Sequence, residues 1–317
     1  MRQALNKTQS DAVRCRALPR RSAPASVPAV DSTLAPTFDI WGKTPPSGPV
    51  VIAVPHAGRD YPAVLRAALR VPLAAATALE DRYVDVVAGG ARGNETLIVQ
   101  RRARAWIDLN RGEDERDGAV DEGAAPSAVI SAKVASGLGL VPRRSGASGD
   151  LWRRRWTGAE IDARIAADHR PYHAAIATAL AQARARWGVA VLLDVHSMPP
   201  LTGAARGVRV VLGDRFGQAA GAALVARLEE VAAAARMPVA LNTPYAGGHA
   251  LDRHGRPGQG VHAIQLELDR SLYLDRTLDR PGAGLTHTTA LVRTMLTALA
   301  DEALTSLRHS PPPLAAE

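Results

Sequence analysis

What most limits the folds open to this chain is its regular alternation of short β-branched runs with alanine-rich stretches. Val50–Val54 is a five-residue apolar run closed by Pro49 and Pro55, the length and setting of a strand buried on both faces. Thr96–Gln100 and the stretches 105–109, 189–194 and 208–212 have the same character. Residues 261–268 alternate instead, with Ile264, Leu266 and Leu268 on one side and Gln265 and Glu267 on the other. Between the strands, 73–91, 217–236 and 285–307 read as helices. Thr157 and Glu160 predict a capping box ahead of a long helix ending near Trp187, which Pro171 should kink or split.

Strands separated by helices call for an α/β fold, a mixed, mostly parallel sheet with helices on both faces. No internal repeat is visible, so a single domain over 36–309 is the simplest organisation. Residues 1–35 are rich in arginine, serine and proline without apolar periodicity and predict a disordered leader. Residues 310–317, with Pro311, Pro312 and Pro313, predict a loose tail.

Composition narrows the function classes. A single cysteine, Cys15, excludes an internal disulfide framework and a thiolate metal cage, and suits a reducing, cytoplasmic setting. No apolar run approaches the ~20 residues that span a bilayer. The net charge of +8 is compatible with nucleic acid, a membrane surface or a small acidic substrate. Its arginines are scattered rather than interleaved with aromatics, and no nucleic-acid-binding signature accompanies them, so no nucleic-acid partner is expected.

The residues able to carry chemistry fall mostly at strand ends, where open α/β sheets collect ligands. His56 follows the first buried strand and His196 another; on parallel neighbours the two imidazoles would face one crevice as metal ligands. Asp194 is a candidate for orienting an imidazole. Asp81 and Asp85 fall one turn apart on the expected 73–91 helix, and a carboxylate is what two histidines need to complete a catalytic zinc site; a solvated charged face is the alternative. Glu267, on a strand otherwise built for burial, must be paired, hydrated or functional: a general base toward an attacking water, or half of an ion pair with Arg270. Asn110 and Arg111 suit recognition of a carboxylate, although Asn110 also suits a turn. The loop holding Asn242, Tyr245, Gly247, Gly248 and His249 is either a plain turn or a place where backbone approaches a ligand.

Read in order, VPHAGRDYP at 54–62, EDRYVD at 80–85, IDLNRGEDE at 107–115, GLGLVPR at 137–143, RPYH at 170–173, LLDVHSMP at 192–199 and the long stretch at 241–275 resemble the N-formylglutamate amidohydrolase family. The resemblance runs over about 50–305. It implies a phosphorylase/hydrolase-like fold similar to zinc carboxypeptidases, and hydrolysis of N-formyl-L-glutamate to formate and glutamate in histidine degradation. It further implies His56, His196 and an acidic residue, Asp81 or its rival Glu80, as metal ligands. Glu267 would be the catalytic glutamate and Asn110 and Arg111 a carboxylate clamp, with Asn242, Tyr245, His249 and Arg270 completing the pocket. Zinc suits these ligands; cobalt, manganese and iron fit the same set. Carboxypeptidase-like sites carry a glutamate ligand three residues after the first histidine, where this chain has Arg59. A zinc deacylase acting on another N-acyl amino acid or peptide, and a basic nucleic-acid-binding protein with a degenerate hydrolase fold, are the competing expectations.

Overall fold

The computed structural model describes residues 37–126 and 130–309; the expected leader at 1–35 and tail at 310–317 lie outside the described residues. The chain enters through β1 (Phe38–Trp41) and β2 (Val50–Val54), then three short helices, α1 (Ala63–Ala68), α2 (Leu73–Thr77) and α3 (Val84–Ala91), before β3 (Thr96–Gln100). A long irregular segment carrying α4 (Ala132–Ala135) leads to α5 (Gly158–Arg164) and α6 (Arg170–Trp187). Then follow β4 (Ala190–Met198), β5 (Val210–Gly213), α7 (Ala222–Ala234), β6 (Val239–Leu241), α8 (His249–His254), β7 (Val261–Asp269) and α9 (Leu285–His309).

The seven strands form one sheet in the order β1-β3-β2-β4-β7-β5-β6. The run β3-β2-β4-β7 is parallel, as is β5-β6, whereas β1 joins β3 and β5 joins β7 antiparallel. The sheet is mixed and mostly parallel, as the sequence predicts, and its strands are buried on both faces because helices cover both. One face sets Ile52, Val54, Leu193 and Leu266 against α3, α7 and α9. The other sets Val51, Ala53 and Leu192 against apolar residues of α1, α5, α6 and α8. No helix among the described residues is long and apolar enough to cross a membrane.

Several expected elements change in ways that shape the site. The stretch 73–91 is two helices, not one: α2 ends at Thr77, and Tyr83 takes a left-handed conformation (φ 56°) before α3 begins. In that break the amide of Asp81 donates to the carbonyl of His56 at 3.0 Å, so a contact with the end of β2 replaces a helical bond. Asp81 and Asp85 therefore do not share a helix face. Residues 105–109 are not a strand: β1 already occupies the outer edge of β3, and the segment turns through hydrogen bonds of Trp106 to Ala103 and of Asp108 to Leu140. β4 runs to Met198, four residues past its expected end, because its ladder with β7 continues from Ala190 opposite Val261 to Met198 opposite Asp269. The long helix is split next to Pro171, as the sequence predicts, and Pro171 falls in the first turn of the second half. A π-helical turn, Ile165–His169, joins α5 to α6 ahead of it, and the Thr157–Glu160 capping box is present at the start of α5.

Candidate functional site

Three parallel neighbours, β2, β4 and β7, bring the chemistry to one end of the sheet. His56 lies two residues beyond β2, in a loop that packs tightly: a Cβ on Gly58 would fall 2.0 Å from the carbonyl oxygen of Arg102, so no larger residue fits there. His196 sits within β4, directly opposite Glu267 of β7. The two imidazole centroids are 4.8 Å apart.

The ring nitrogens are sorted by their partners. Nε2 of His56 donates to Asp108 Oδ1 at 2.7 Å, and Nε2 of His196 donates to Asp194 Oδ2 at 2.8 Å. Both Nδ1 atoms then turn inward to the same oxygen of Asp81, at 3.6 Å from His56 and 3.1 Å from His196. Burial works against ionising Asp81, but the hydrogen bond to His196 and the proximity of both imidazoles outweigh it and hold the carboxyl well below its usual range. Burial likewise opposes charge on His196, yet Asp194 and Asp81 raise it well above an ordinary histidine. Glu80 turns the other way, accepting from the hydroxyl of Tyr61 and from Arg82 at 2.8 Å. Arg59, three residues after His56, forms a two-bond surface pair with Asp85.

This donor set fits a divalent metal. His56, Asp81 and His196 are all buried and each offers a ligand atom within 4.8 Å of the others. Nδ1 of His56 is buried without a hydrogen-bond partner, an atom an ion would satisfy. Two imidazoles and a carboxylate, with the far ring nitrogens held by Asp108 and Asp194, are donors that suit a divalent metal.

Glu267 faces this cluster. Gln265 donates to its Oε1 at 2.9 Å, and Asn110 in turn donates to Gln265 at 3.1 Å. Burial raises the Glu267 carboxyl to about 7 despite the opposing pull of His196, Arg104 and Arg270. Arg270 does not pair with Glu267; it donates to Asp81 Oδ1 and Ser197 Oγ, both at 3.1 Å.

Around them opens a cavity of about 520 Å³, within the usual range for small-molecule sites, lined by Arg104, Arg111, Lys133, Tyr245 and Arg270 besides the cluster itself. Arg104 is tied to Asp108 at 2.8 Å, while Lys133 and Arg111 have no ion-pair partner among the described residues. Lys133 keeps an exposed surface, yet desolvation of its ammonium together with Arg111 and Arg104 lowers its pKa. The buried hydroxyl of Ser145 also borders the cavity without a partner.

Two expected pocket residues lie elsewhere. Asn242, at φ 60°, accepts from the amides of Asp214 and Phe216 and donates to Asp214 Oδ1, so it holds the turn after β5 and does not line the cavity. His249 faces His169 and His173, also outside the cavity lining. Asn110 does line the cavity, but its amide is occupied by Gln265 and by the amide of Ala250, which makes it a brace between loops. The Gly248 backbone approaches that brace so closely that a Cβ would meet Asn110 Oδ1 at 2.6 Å. Sequence reasoning missed Arg104, Lys133 and Ser145. Arg104 had a signal, four residues before Asp108; Lys133 and Ser145 had none, since their segment is irregular.

Residues 48–274 match the family model described as N-formylglutamate amidohydrolase. The chain belongs to the N-formylglutamate amidohydrolase family. The match includes His56, Asp81, His196, Glu267 and Arg270, and so spans the whole cluster. Among relatives of this amidohydrolase family member, the N-formylglutamate deformylase of Pseudomonas aeruginosa is 29% identical over 233 residues, 72% of this chain and 82% of the relative. The N-formylglutamate deformylase of Pseudomonas putida is 28% identical over 236 residues, 72% of this chain and 83% of the relative. The crystal structure of N-formylglutamate amidohydrolase from Ralstonia eutropha superposes with a TM-score of 0.78 at 29% identity, covering 86% of this chain and 100% of the other.

Proposed function

We propose that this protein hydrolyses the formyl amide of N-formyl-L-glutamate to formate and L-glutamate, with a divalent metal as cofactor. The observation that carries this reading is the meeting, in one cavity, of a buried His-Asp-His cluster with two cations, Arg111 and Lys133, that lack acidic partners among the described residues. A substrate with two carboxylates answers those cations, and guanidinium binds carboxylate through paired hydrogen bonds. The relatives named N-formylglutamate deformylase support the choice of acyl group.

His56, Asp81 and His196 would hold the ion. When bound, it would polarise the formyl carbonyl and make water easier to deprotonate. Zinc suits the donors best, with cobalt, manganese or iron as substitutes. The remaining chemistry belongs to the chain. Asp108 and Asp194 accept from Nε2 of His56 and His196, which in the neutral rings leaves each Nδ1 lone pair to the ion. Glu267, raised by burial to about 7, is poised near neutrality to take a proton from water as its oxygen adds to the formyl carbon. It returns that proton to the amide nitrogen as the C–N bond breaks. The acidic proton of the nascent formic acid then ends on the glutamate amine, leaving formate and an ammonium group. Arg270 holds Asp81 in place, and Arg104 and Arg270 put positive charge beside the carbonyl oxygen as it becomes anionic.

The test is formate release from N-formyl-L-glutamate by metal-stripped protein, before and after zinc or cobalt is restored, with N-acetyl- and N-succinyl-glutamate alongside. Release that returns with metal and is fastest for the formyl substrate supports the reading. Restored activity on another acyl group alone would replace the substrate, and release indifferent to chelation would remove the metal from the reaction.

A further inference from the structure

A second histidine cluster, which the proposed reaction does not use, lies behind the loop that carries Asp108 and Asn110. His169 closes the π-helical turn, and His173 follows one turn later on α6. His249 begins α8. One ligand atom from each lies within 4.8 Å of the other two, the same limit met by His56, Asp81 and His196. The centroid separations are 4.6 Å for His169–His173, 5.1 Å for His173–His249 and 5.4 Å for His169–His249.

The hydrogen bonding repeats that of the first cluster. Nε2 of His169 donates to the carbonyl of Arg111 and Nε2 of His173 to the carbonyl of Leu109, both at 2.8 Å. A carbonyl can only accept, so each neutral ring carries its proton on Nε2 and keeps its lone pair on Nδ1. Histidines that bind metal are held in this way, the far ring nitrogen donating to a carbonyl or carboxylate. Nε2 of His249 is buried and has no hydrogen-bond partner, as is Nδ1 of His56 in the first cluster. Burial disfavours protonation of all three rings, which leaves them as neutral donors.

We propose that His169, His173 and His249 form a second metal site, structural rather than catalytic, for a borderline divalent transition metal such as zinc. Imidazole donors without thiolate select that class over calcium or magnesium, which take oxygen. The ion would stiffen the two rings that grip Leu109 and Arg111, and through them the loop that sets Asp108 behind His56. It would displace one existing contact, the 2.9 Å hydrogen bond between His173 Nδ1 and His254 Nε2. Glu113, whose Oε1 is 3.8 Å from His169 Nδ1, offers an acidic neighbour.

The experiment is zinc stoichiometry on the full chain, stripped with a chelator, reloaded with Zn²⁺ and desalted. Four proteins are compared: wild type, His196→Ala, His249→Ala and the double variant. Two zinc ions per chain are expected in the wild type, one in each single variant and none in the double variant. Co²⁺ loaded into His196→Ala should give visible absorption bands that His249→Ala abolishes. If His249→Ala does not fold, His196→Ala decides alone: one retained ion supports the site, and none overturns it. Zinc that persists in the double variant is adventitious and also overturns it. Formate release plays no part, so this test and that of the proposed reaction fail independently.

Discussion

Asp194 and His196 lie two residues apart on β4, on the same side of the strand, and Asp194 Oδ2 accepts from His196 Nε2 at 2.8 Å. Strand periodicity alone places the carboxylate behind the imidazole, so the ring is oriented by its own element. Replacing Asp194 with asparagine keeps the shape but removes the charge that fixes the tautomer. Zinc affinity should fall about 10–100-fold, the usual effect of losing such a partner. Competition against a chromogenic chelator measures it; unchanged affinity would mean the ring needs no support from Asp194.

Glu267→Gln keeps the hydrogen bond from Gln265 geometrically possible but cannot accept a proton. Turnover of N-formyl-L-glutamate should drop about 10²–10⁴-fold, with zinc still bound and KM little changed. Steady-state kinetics and metal analysis on the same preparation check both halves. Near-normal turnover would remove Glu267 from proton transfer.

Asn242 holds the turn after β5 from a left-handed backbone position, so Asn242→Ala should act on stability. Loss of the αL-tolerant residue and of buried hydrogen bonds to Asp214 and Phe216 should cost about 2–4 kcal/mol. Urea unfolding reads this directly, and KM should not move. A raised KM with unchanged stability would return Asn242 to the substrate pocket.

His262 supplies a pH dependence remote from the cavity. Its Nδ1 accepts from the amide of Gly221 at 3.1 Å, and burial lowers its pKa from the ordinary 6.5. As pH falls below 6.5 the unfolded chain takes up a proton that the folded one resists. The stability from this residue is therefore present above that value and is lost as pH falls toward the folded pKa. The melting-temperature advantage of wild type over His262→Gln should shrink between pH 7.5 and 5.0. A gap that stays constant would show that His262 does not titrate there.

The sequence by itself determined the alternation of strand and helix, hence the mixed sheet covered on both faces, and the strand-end setting of His56. Period two on β7 set Gln265 and Glu267 opposite the core-facing Ile264, Leu266 and Leu268 before any tertiary contact was considered. Those are local properties, written in spacing and side-chain type. The opposite directions of Glu80, toward Tyr61 and Arg82, and Asp81, toward the two imidazoles, were not local. Both side chains depend on the break after α2, and that break is stabilised where the amide of Asp81 meets the carbonyl of His56, 25 residues earlier in the chain. The separation of Asn242 and His249 from the cavity, and the arrival of Arg104 and Lys133 within it, likewise follow from how irregular loops pack on the strand ends. Loop paths are set by long-range hydrogen bonds such as Asp108 to Leu140, and periodicity carries no record of them.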